Sequence, residues 1–189
     1  MKKSQVFDPK HIVVLETQNR KLWQDPETIL GAVEIEPDFM AADLGCGSGF
    51  FTMPIANRVK QVYAIDVQKE MLDLLEQKIQ RLRVKNVTLL LSKENEIPLE
   101  RESIDLLLSV NTLHEFNERE RIVEEMHRVL KRHGRALIVD FKKENTSFGP
   151  PVAARVSKKQ ATSLFRRKGF TLLKTQRLQY HYLLVFSMS

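Results

Sequence analysis

Residues 41–50 read Ala-Ala-Asp-Leu-Gly-Cys-Gly-Ser-Gly-Phe, and that stretch decides the fold. The apolar run Phe39, Met40, Ala41 and Ala42 leads into Asp43 and Leu44, as a buried strand does at its end. Gly45, Gly47 and Gly49 follow on alternate positions, and residues 50–53 open a helix. A strand that runs at once into glycines and a helix start predicts a turn that cradles a nucleotide. Glycine allows φ > 0 and lets a ligand approach the main chain with no Cβ in the way.

The spacing narrows the ligand. A dinucleotide site needs G-x-G-x-x-G, with the third glycine packing helix on strand beside a pyrophosphate. Here the pattern is G-x-G-x-G, and Phe50 stands where that third glycine would be. Asp43, just ahead of the turn, is a poor neighbour for a pyrophosphate and a good one for an ammonium group. The apolar segment 61–66 then ends in Asp66. An acid at the tip of the second strand, about 20 residues after the first glycine, can bind both hydroxyls of a ribose.

These features resemble the class I S-adenosylmethionine-dependent methyltransferases, whose pattern is D-x-G-x-G-x-G followed by an acid ending the second strand. The resemblance runs from about Asp38 to Asp140. It is strongest to the small single-domain methyltransferase type 11 group, some of whose members carry a Ser-x-Glu-Asn-x-Ile-Pro-Leu segment like residues 92–99. It implies an enzyme with S-adenosylmethionine as cofactor and S-adenosylhomocysteine as product. It implies a Rossmann-like, seven-stranded, mostly parallel sheet with helices on both faces and the last strand antiparallel. Residues 1–189 would form one domain, with 1–35 as a helical lid and 36–189 as the core.

The resemblance also implies site roles. Gly45, Cys46 and Gly47 would pass their backbone along the methionine portion, with Gly49 and Phe50 completing the turn. Asp43 would bind the ammonium, Asp66 the ribose, and Val67 and Met71 would flank the adenine. The family often has an acid after the third strand for the adenine amino group. Lys93 stands there instead, beside Glu94 and Asn95, so Glu94 or backbone groups would supply that contact. Cys46 reads more plainly as a small turn residue than as a reactive thiol. Residues 109–116, Ser-Val-Asn-Thr-Leu-His-Glu-Phe, follow the fourth strand, on the loop that in the family lies beside the transferring methyl. Asn111 and His114 are the candidate catalytic residues. His114 either orients or deprotonates the acceptor, with Glu115 as a neighbour, or it packs the following helix. The segment is not the Asn-Pro-Pro-Tyr form associated with amino methylation of DNA bases.

Composition sets the bounds. A chain of 189 residues with 42% hydrophobic content is long enough for one sizeable core. No run approaches the ~20 apolar residues of a membrane span, and residues 1–5 lack a signal peptide's apolar stretch. One cysteine excludes an internal disulfide framework and a multi-cysteine metal site, and no metal is expected. A cytoplasmic location is the default. The net charge of +6 permits an anionic partner without requiring one.

Outward from the turn, the spacing predicts helices at 11–15, 26–33, 52–58, 68–82, 118–130 and 157–168. Residues 131–134, Lys-Arg-His-Gly, would cap the fifth of these, basic charge and glycine suiting a helix C-terminus. Continuous apolar strands are expected at 86–91, 104–110 and 135–140, as in a parallel sheet covered on both faces. Residues 141–156 should form a loop across the ligand end, and 170–175 and 181–186 the closing strands. Arg20 and Trp23 are lid candidates; the plainer alternative packs Trp23 on the core and leaves Arg20 solvated.

The acceptor is expected to be a small molecule, because little of the chain lies outside the catalytic unit. The alternative is RNA or protein, met by Lys142, Lys143, Lys158, Lys159, Arg166, Arg167 and Lys168. No aromatic residues interleave that cluster as a stacking platform requires. Either a monomer or a homodimer is compatible with the sequence.

Overall fold

The computed structural model describes residues 18–188. The helix expected at 11–15 lies outside them. Two short helices come first, α1 (Gln18–Trp23) and α2 (Pro26–Leu30). Asp25 caps α2 by accepting from the Thr28 amide at 2.9 Å, and Pro26 takes the first turn, where a missing N–H costs nothing. Gly31 ends α2 earlier than the sequence pattern suggests.

The alternating elements follow as β1 (Met40–Leu44), α3 (Thr52–Ala56), β2 (Gln61–Asp66), α4 (Lys69–Leu82), β3 (Val87–Leu91), β4 (Ile104–Val110), α5 (Arg119–Val129) and β5 (Leu130–Phe141). Then come α6 (Lys158–Arg167), β6 (Phe170–Arg177) and β7 (His181–Met188). One seven-stranded sheet runs in the order β3-β2-β1-β4-β5-β7-β6. β1 to β5 are parallel, and β7 lies antiparallel between β5 and β6. This is the Rossmann-like, seven-stranded, mostly parallel sheet that the resemblance implies.

Successive strand residues point to opposite faces, and each face has its own core. Ala42, Leu44, Leu107, Ile138 and Phe186 pack beneath α5 and α6. Ala41, Leu106, Leu108, Val139 and Val185 pack on the face covered by α2 and α3, and α4 covers Ala64 through Leu72 and Leu75. Phe165 of α6 stacks on Phe186 at 4.5 Å and 8°, fixing that helix on the sheet. A capping box starts α6: Ser157 accepts from the Gln160 amide, and the Gln160 side chain accepts from the Ser157 amide.

Three local expectations are corrected. α5 does not run into a capped 131–134 end. Leu130 is fully buried, turns extended and pairs with Ile104, so β5 begins there. Residues 131–134 are taken up in the register shift between Ile104 and Leu106. Gly134 is needed because a Cβ would sit 2.9 Å from the Lys131 carbonyl oxygen and 3.2 Å from that of Ile104. β3 is an edge strand with an open side, not a strand covered on both faces, and Leu91 is 57% exposed. On α4 only Met71, Leu72 and Leu75 are buried, while Leu74 and Leu82 are exposed.

Candidate active site

The carboxyl ends of the parallel strands gather the polar residues, at the switch point where β1 is flanked by β2 and β4. Gly45, Asp66, Ser92, Asn111 and Asp140 all fall on that edge. A cavity of about 600 Å³ opens there. Asp43, Gly45, Cys46, Gly47 and Phe50 line it from the turn, and Asp66, Val67 and Met71 from the end of β2 and the start of α4. Lys93 and Glu94 line it after β3, and Asn111 and His114 after β4.

Two of the expected site residues stand elsewhere. Gly49 (φ 83°) faces α4, where a Cβ would lie 2.4 Å from Leu75 Cδ1. Asn95 gives its side-chain N–H to Glu118 at 3.1 Å and borders a separate shallow crevice.

The turn is held over β2, because the Gly45 and Cys46 amides both donate to the Ile65 carbonyl, at 2.8 and 3.1 Å. At Gly45 (φ 75°) a Cβ would meet Thr112 Cγ2 at 2.4 Å, so glycine lets the β4 loop pack against the turn. At Gly47 (φ 52°) a Cβ would meet nothing within 4 Å, and the backbone there lines open cavity. Asp66 accepts from the Gly47 amide and the Gln68 amide, each at 2.9 Å. Those two bonds fix its carboxylate at the cavity wall.

Burial raises the Asp43 carboxyl to about 6, against the pull of its 2.6 Å bond from the Thr52 hydroxyl and the charge of Arg20. Burial likewise raises Asp66, with its amide bonds opposing. Cys46 is 7% exposed, and burial, then the charges of Asp43 and Asp66, push its thiol well above the usual range. A buried thiol raised in this way suits a small turn residue better than a nucleophile. Lys93 pairs with Glu96 at 3.6 Å, and Glu94 accepts from the Asn117 side chain.

His114 is 7% exposed and anchored by Asp140, which is fully buried. Its Nδ1 lies 2.7 Å from Asp140 Oδ1, and its backbone amide donates to Asp140 Oδ2 at 2.9 Å. Burial alone would lower the His114 pKa; the hydrogen bond and charge of Asp140 outweigh it, and the net direction is upward. Glu115 is a distant neighbour, its Oε1 3.9 Å from His114 Nε2. Asn111 has φ 59°, a left-handed conformation that asparagine tolerates. Its side-chain amide exchanges two hydrogen bonds with that of Gln24, at 2.9 and 3.1 Å.

Arg20 and Trp23 both line the cavity. Arg20 is not solvated: it is 6% exposed, with its guanidinium carbon 4.2 Å from the Phe50 ring centroid. Trp23 stacks on His181 at 5.3 Å and meets Phe148 at 5.1 Å. The 141–156 loop lies across the ligand end and lines the cavity through Phe148, Gly149, Pro150 and Pro151. Arg155, 3% exposed, shapes it by donating to the carbonyls of Lys142, Glu144, Phe148 and Pro150. In the basic cluster, Arg167 and Lys168 pair with Glu120, and Lys168 also with Glu124. Among the described residues no helix is long and apolar enough to cross a membrane.

Sequence reasoning missed Asp140 and Gln24 as parts of this site. The one available signal was that Asp140 ends a strand on the same edge as Asp66.

Comparison with known proteins defines the class. The family model described as a methyltransferase domain matches residues 42–138. The solved structure of an S-adenosylmethionine-dependent methyltransferase from Aquifex aeolicus superposes with a TM-score of 0.92 at 30% identity, over 97% of this chain and 100% of that one. An uncharacterised methyltransferase-like protein of Schizosaccharomyces pombe is 36% identical over 59% of this chain and 42% of its own length. A demethylmenaquinone methyltransferase of Bacillus mycoides is 26% identical over 67% of this chain and 54% of its own. The chain thus spans about half the length of these two curated relatives. It belongs to the class I S-adenosylmethionine-dependent methyltransferases of type 11, and S-adenosylmethionine is the cofactor this membership implies.

Proposed function

We propose that this protein transfers a methyl group from S-adenosylmethionine to a small organic acceptor, with His114 taking the acceptor's proton. The observation that carries this reading is the cavity, whose lining includes both the acidic glycine turn and the Asp140-anchored His114. Its volume of about 600 Å³ lies within the range of small-molecule sites. The relatives named for demethylmenaquinone support a small acceptor.

The residues present suit the cofactor. Gly47 offers bare backbone where any Cβ would fill cavity space. Asp43 is a buried carboxyl raised to about 6, a cost that an ammonium partner would relieve. Asp66 would accept the ribose hydroxyls with lone pairs left over from its two amide bonds. Val67 and Met71 would flank the base, with Glu94 beside it. When bound, S-adenosylmethionine supplies a methyl carbon already activated by positive sulfur and open to in-line displacement.

The chain's own part is positioning and proton handling. Asp140 holds the His114 ring by Nδ1, so neutral His114 presents the lone pair of Nε2 as a base. An acceptor hydroxyl losing its proton to Nε2 becomes the nucleophile. Trp23, Phe141 and Phe148 give the cavity apolar walls that would exclude water. Of the expected 1–35 lid and 36–189 core, α1 would serve as the cover, its Arg20 and Trp23 reaching the cavity, while α2 packs Ile29 and Leu30 into the core. Alignment of reactants in such a site supplies effective molarities of about 10⁵ M or more. A macromolecular acceptor is the weaker reading, because part of its basic surface is already neutralised by Glu120 and Glu124.

The test is a product search. The protein is incubated with cell extract and methyl-labelled S-adenosylmethionine, and the extract is fractionated. Label is expected in the low-molecular-weight fraction; label confined to RNA or protein would overturn the small-acceptor reading.

A further inference from the structure

We propose that the methyl acceptor is an aromatic ring carrying a hydroxyl, seated against a wall built from Phe141, Phe148 and Trp23. This rests on the reading of the cavity as a methyl-transfer site with His114 as its base. The cavity's lining divides by chain segment. The turn and the strand ends give it carboxylates and bare backbone, while α1 and residues 141–156 give it aromatic rings. Those rings touch in succession. Phe141 meets His114 edge-on, at 6.2 Å and 79°. Phe148 meets Phe141 at 6.1 Å and 72°, and Trp23 meets Phe148 at 5.1 Å. An unbroken path of ring contacts therefore leads from the base to α1.

The wall is braced from behind by neutral groups. Trp23 stacks flat on His181, at 5.3 Å and 6°. His181 is fully buried, and burial, then the charges of Arg20 and Arg155, draws its pKa down to about 3. It is therefore an uncharged ring at neutral pH. Tyr180 supports Phe148 edge-on at 4.7 Å. At Gly149 (φ 87°) a Cβ would lie 2.6 Å from the Phe141 ring, so glycine lets the loop lie against it. Arg155 fixes the loop. Its five N–H groups donate to the Lys142, Glu144, Phe148 and Pro150 carbonyls and the Thr146 hydroxyl, at 2.6–3.1 Å. A guanidinium has five such donors, so this cation, 5.0 Å from the Phe141 ring centroid, has none left for an anionic acceptor. Recognition along the wall thus falls to ring faces and edges, which favour another aromatic ring.

Proton chemistry points the same way. A phenolic hydroxyl has a pKa of about 10, while an aliphatic one lies close to water at about 16. A histidine base is matched far better to the first. In the step, the acceptor's O–H bond breaks and its proton passes to His114 Nε2. The oxygen's electron pair forms the new O–C bond as the C–S bond breaks onto sulfur. The products are an aryl methyl ether, S-adenosylhomocysteine and a proton that His114 returns to solvent.

The test uses the chain's single tryptophan, Trp23, whose fluorescence reports directly on the wall. Full-length protein holding S-adenosylhomocysteine is titrated with 4-methylphenol, 4-methylcyclohexanol and toluene. 4-Methylcyclohexanol keeps the size and the hydroxyl but not the aromatic ring; toluene keeps the ring but not the hydroxyl. 4-Methylphenol should change Trp23 emission and bind about tenfold more tightly than 4-methylcyclohexanol, a ring pair being worth about two- to tenfold. It should exceed toluene by about two- to tenfold, the worth of one hydrogen bond. Phe148→Leu keeps apolar bulk and removes a ring. It should shrink the preference for 4-methylphenol over 4-methylcyclohexanol by about two- to tenfold and leave 4-methylcyclohexanol affinity unchanged. Calorimetric binding of S-adenosylhomocysteine reports that the variant is folded; if it is not, the wild-type comparison decides alone. Equal affinity for 4-methylphenol and either comparison compound would overturn the proposal. So would binding that leaves Trp23 emission unchanged. Wild-type protein that binds S-adenosylhomocysteine and none of the three probes would overturn it with the cofactor reading intact. Failure to bind S-adenosylhomocysteine would sink the cofactor reading itself, and this proposal with it.

Discussion

The two oxygens of Asp140 hold His114 by two different atoms: Oδ1 lies 2.7 Å from the ring Nδ1, and Oδ2 accepts the His114 backbone amide at 2.9 Å. The grip fixes the loop and the imidazole together. It also selects the form in which Nδ1 carries the hydrogen and Nε2 the lone pair. The partners are 26 positions apart in the chain, and the pairing of β4 with β5 brings them into contact.

The first prediction follows from that pair. His114→Ala should lower single-turnover methyl transfer by about 10²-fold or more, with S-adenosylhomocysteine affinity nearly unchanged. A base must be neutral, and His114 is raised above its ordinary 6.5, so the wild-type rate should fall as pH drops through that raised value. Asp140→Asn should move the acid limb to lower pH. The same shift stabilises the fold: the contribution is fully present below 6.5 and is lost as pH rises through the raised value. Thermal denaturation against pH should therefore show a step in that window which Asp140→Asn lacks. Identical rate profiles for wild type and His114→Ala would assign His114 to packing.

Asp66→Ala should weaken S-adenosylhomocysteine binding by about ten- to a hundredfold, the worth of hydrogen bonds to a charged acceptor. Isothermal calorimetry on a variant with wild-type circular dichroism measures it. An unchanged affinity would mean that the ribose is held elsewhere.

Asp43 predicts a pH dependence of binding. Burial raises its carboxyl from 3.8 to about 6, so the ligand-free protein should lose stability as pH rises through that interval. An ammonium-bearing ligand pairs with the ionised form. S-adenosylhomocysteine affinity should then decline as pH falls below about 6. Asp43→Asn should bind more weakly at neutral pH and without that slope. A flat wild-type profile between pH 5 and 7.5 would contradict the assignment.

The glycines should separate by role. Gly47→Ala puts a methyl group into open cavity at φ 52°, so it should cost about 1 kcal/mol of stability and about tenfold in cofactor affinity. Gly49→Ala drives a Cβ against buried Leu75 at φ 83°, so it should cost roughly 2–3 kcal/mol of stability. Chemical denaturation and calorimetry on both variants check the contrast, which fails if the two lose affinity and stability in equal measure.

Features set by local chemistry were legible in the sequence. The turn at Gly45, the acid at Asp66, the strand at 104–110 and the Ser157 cap each follow from neighbours within a few residues. Features set by tertiary partners were not. The apolar spacing of α5 continues into Leu130, and only its pairing with Ile104 turns it into a strand. β3 reads as a covered strand because nothing local says that it will lie at an edge. The adjacent Glu115 was the visible partner for His114, while the partner the fold provides is Asp140. For Arg20 the sequence left a lid role and a solvated one open, because its partner Gln24 is held by Asn111, 87 positions away.

The most direct measurement is a calorimetric titration of the wild-type protein with S-adenosylhomocysteine and, separately, with NAD. The G-x-G-x-G turn, the ammonium-suited Asp43 and the ribose-suited Asp66 predict clear binding of S-adenosylhomocysteine and much weaker or undetectable binding of NAD. NAD binding more tightly than S-adenosylhomocysteine would contradict the account.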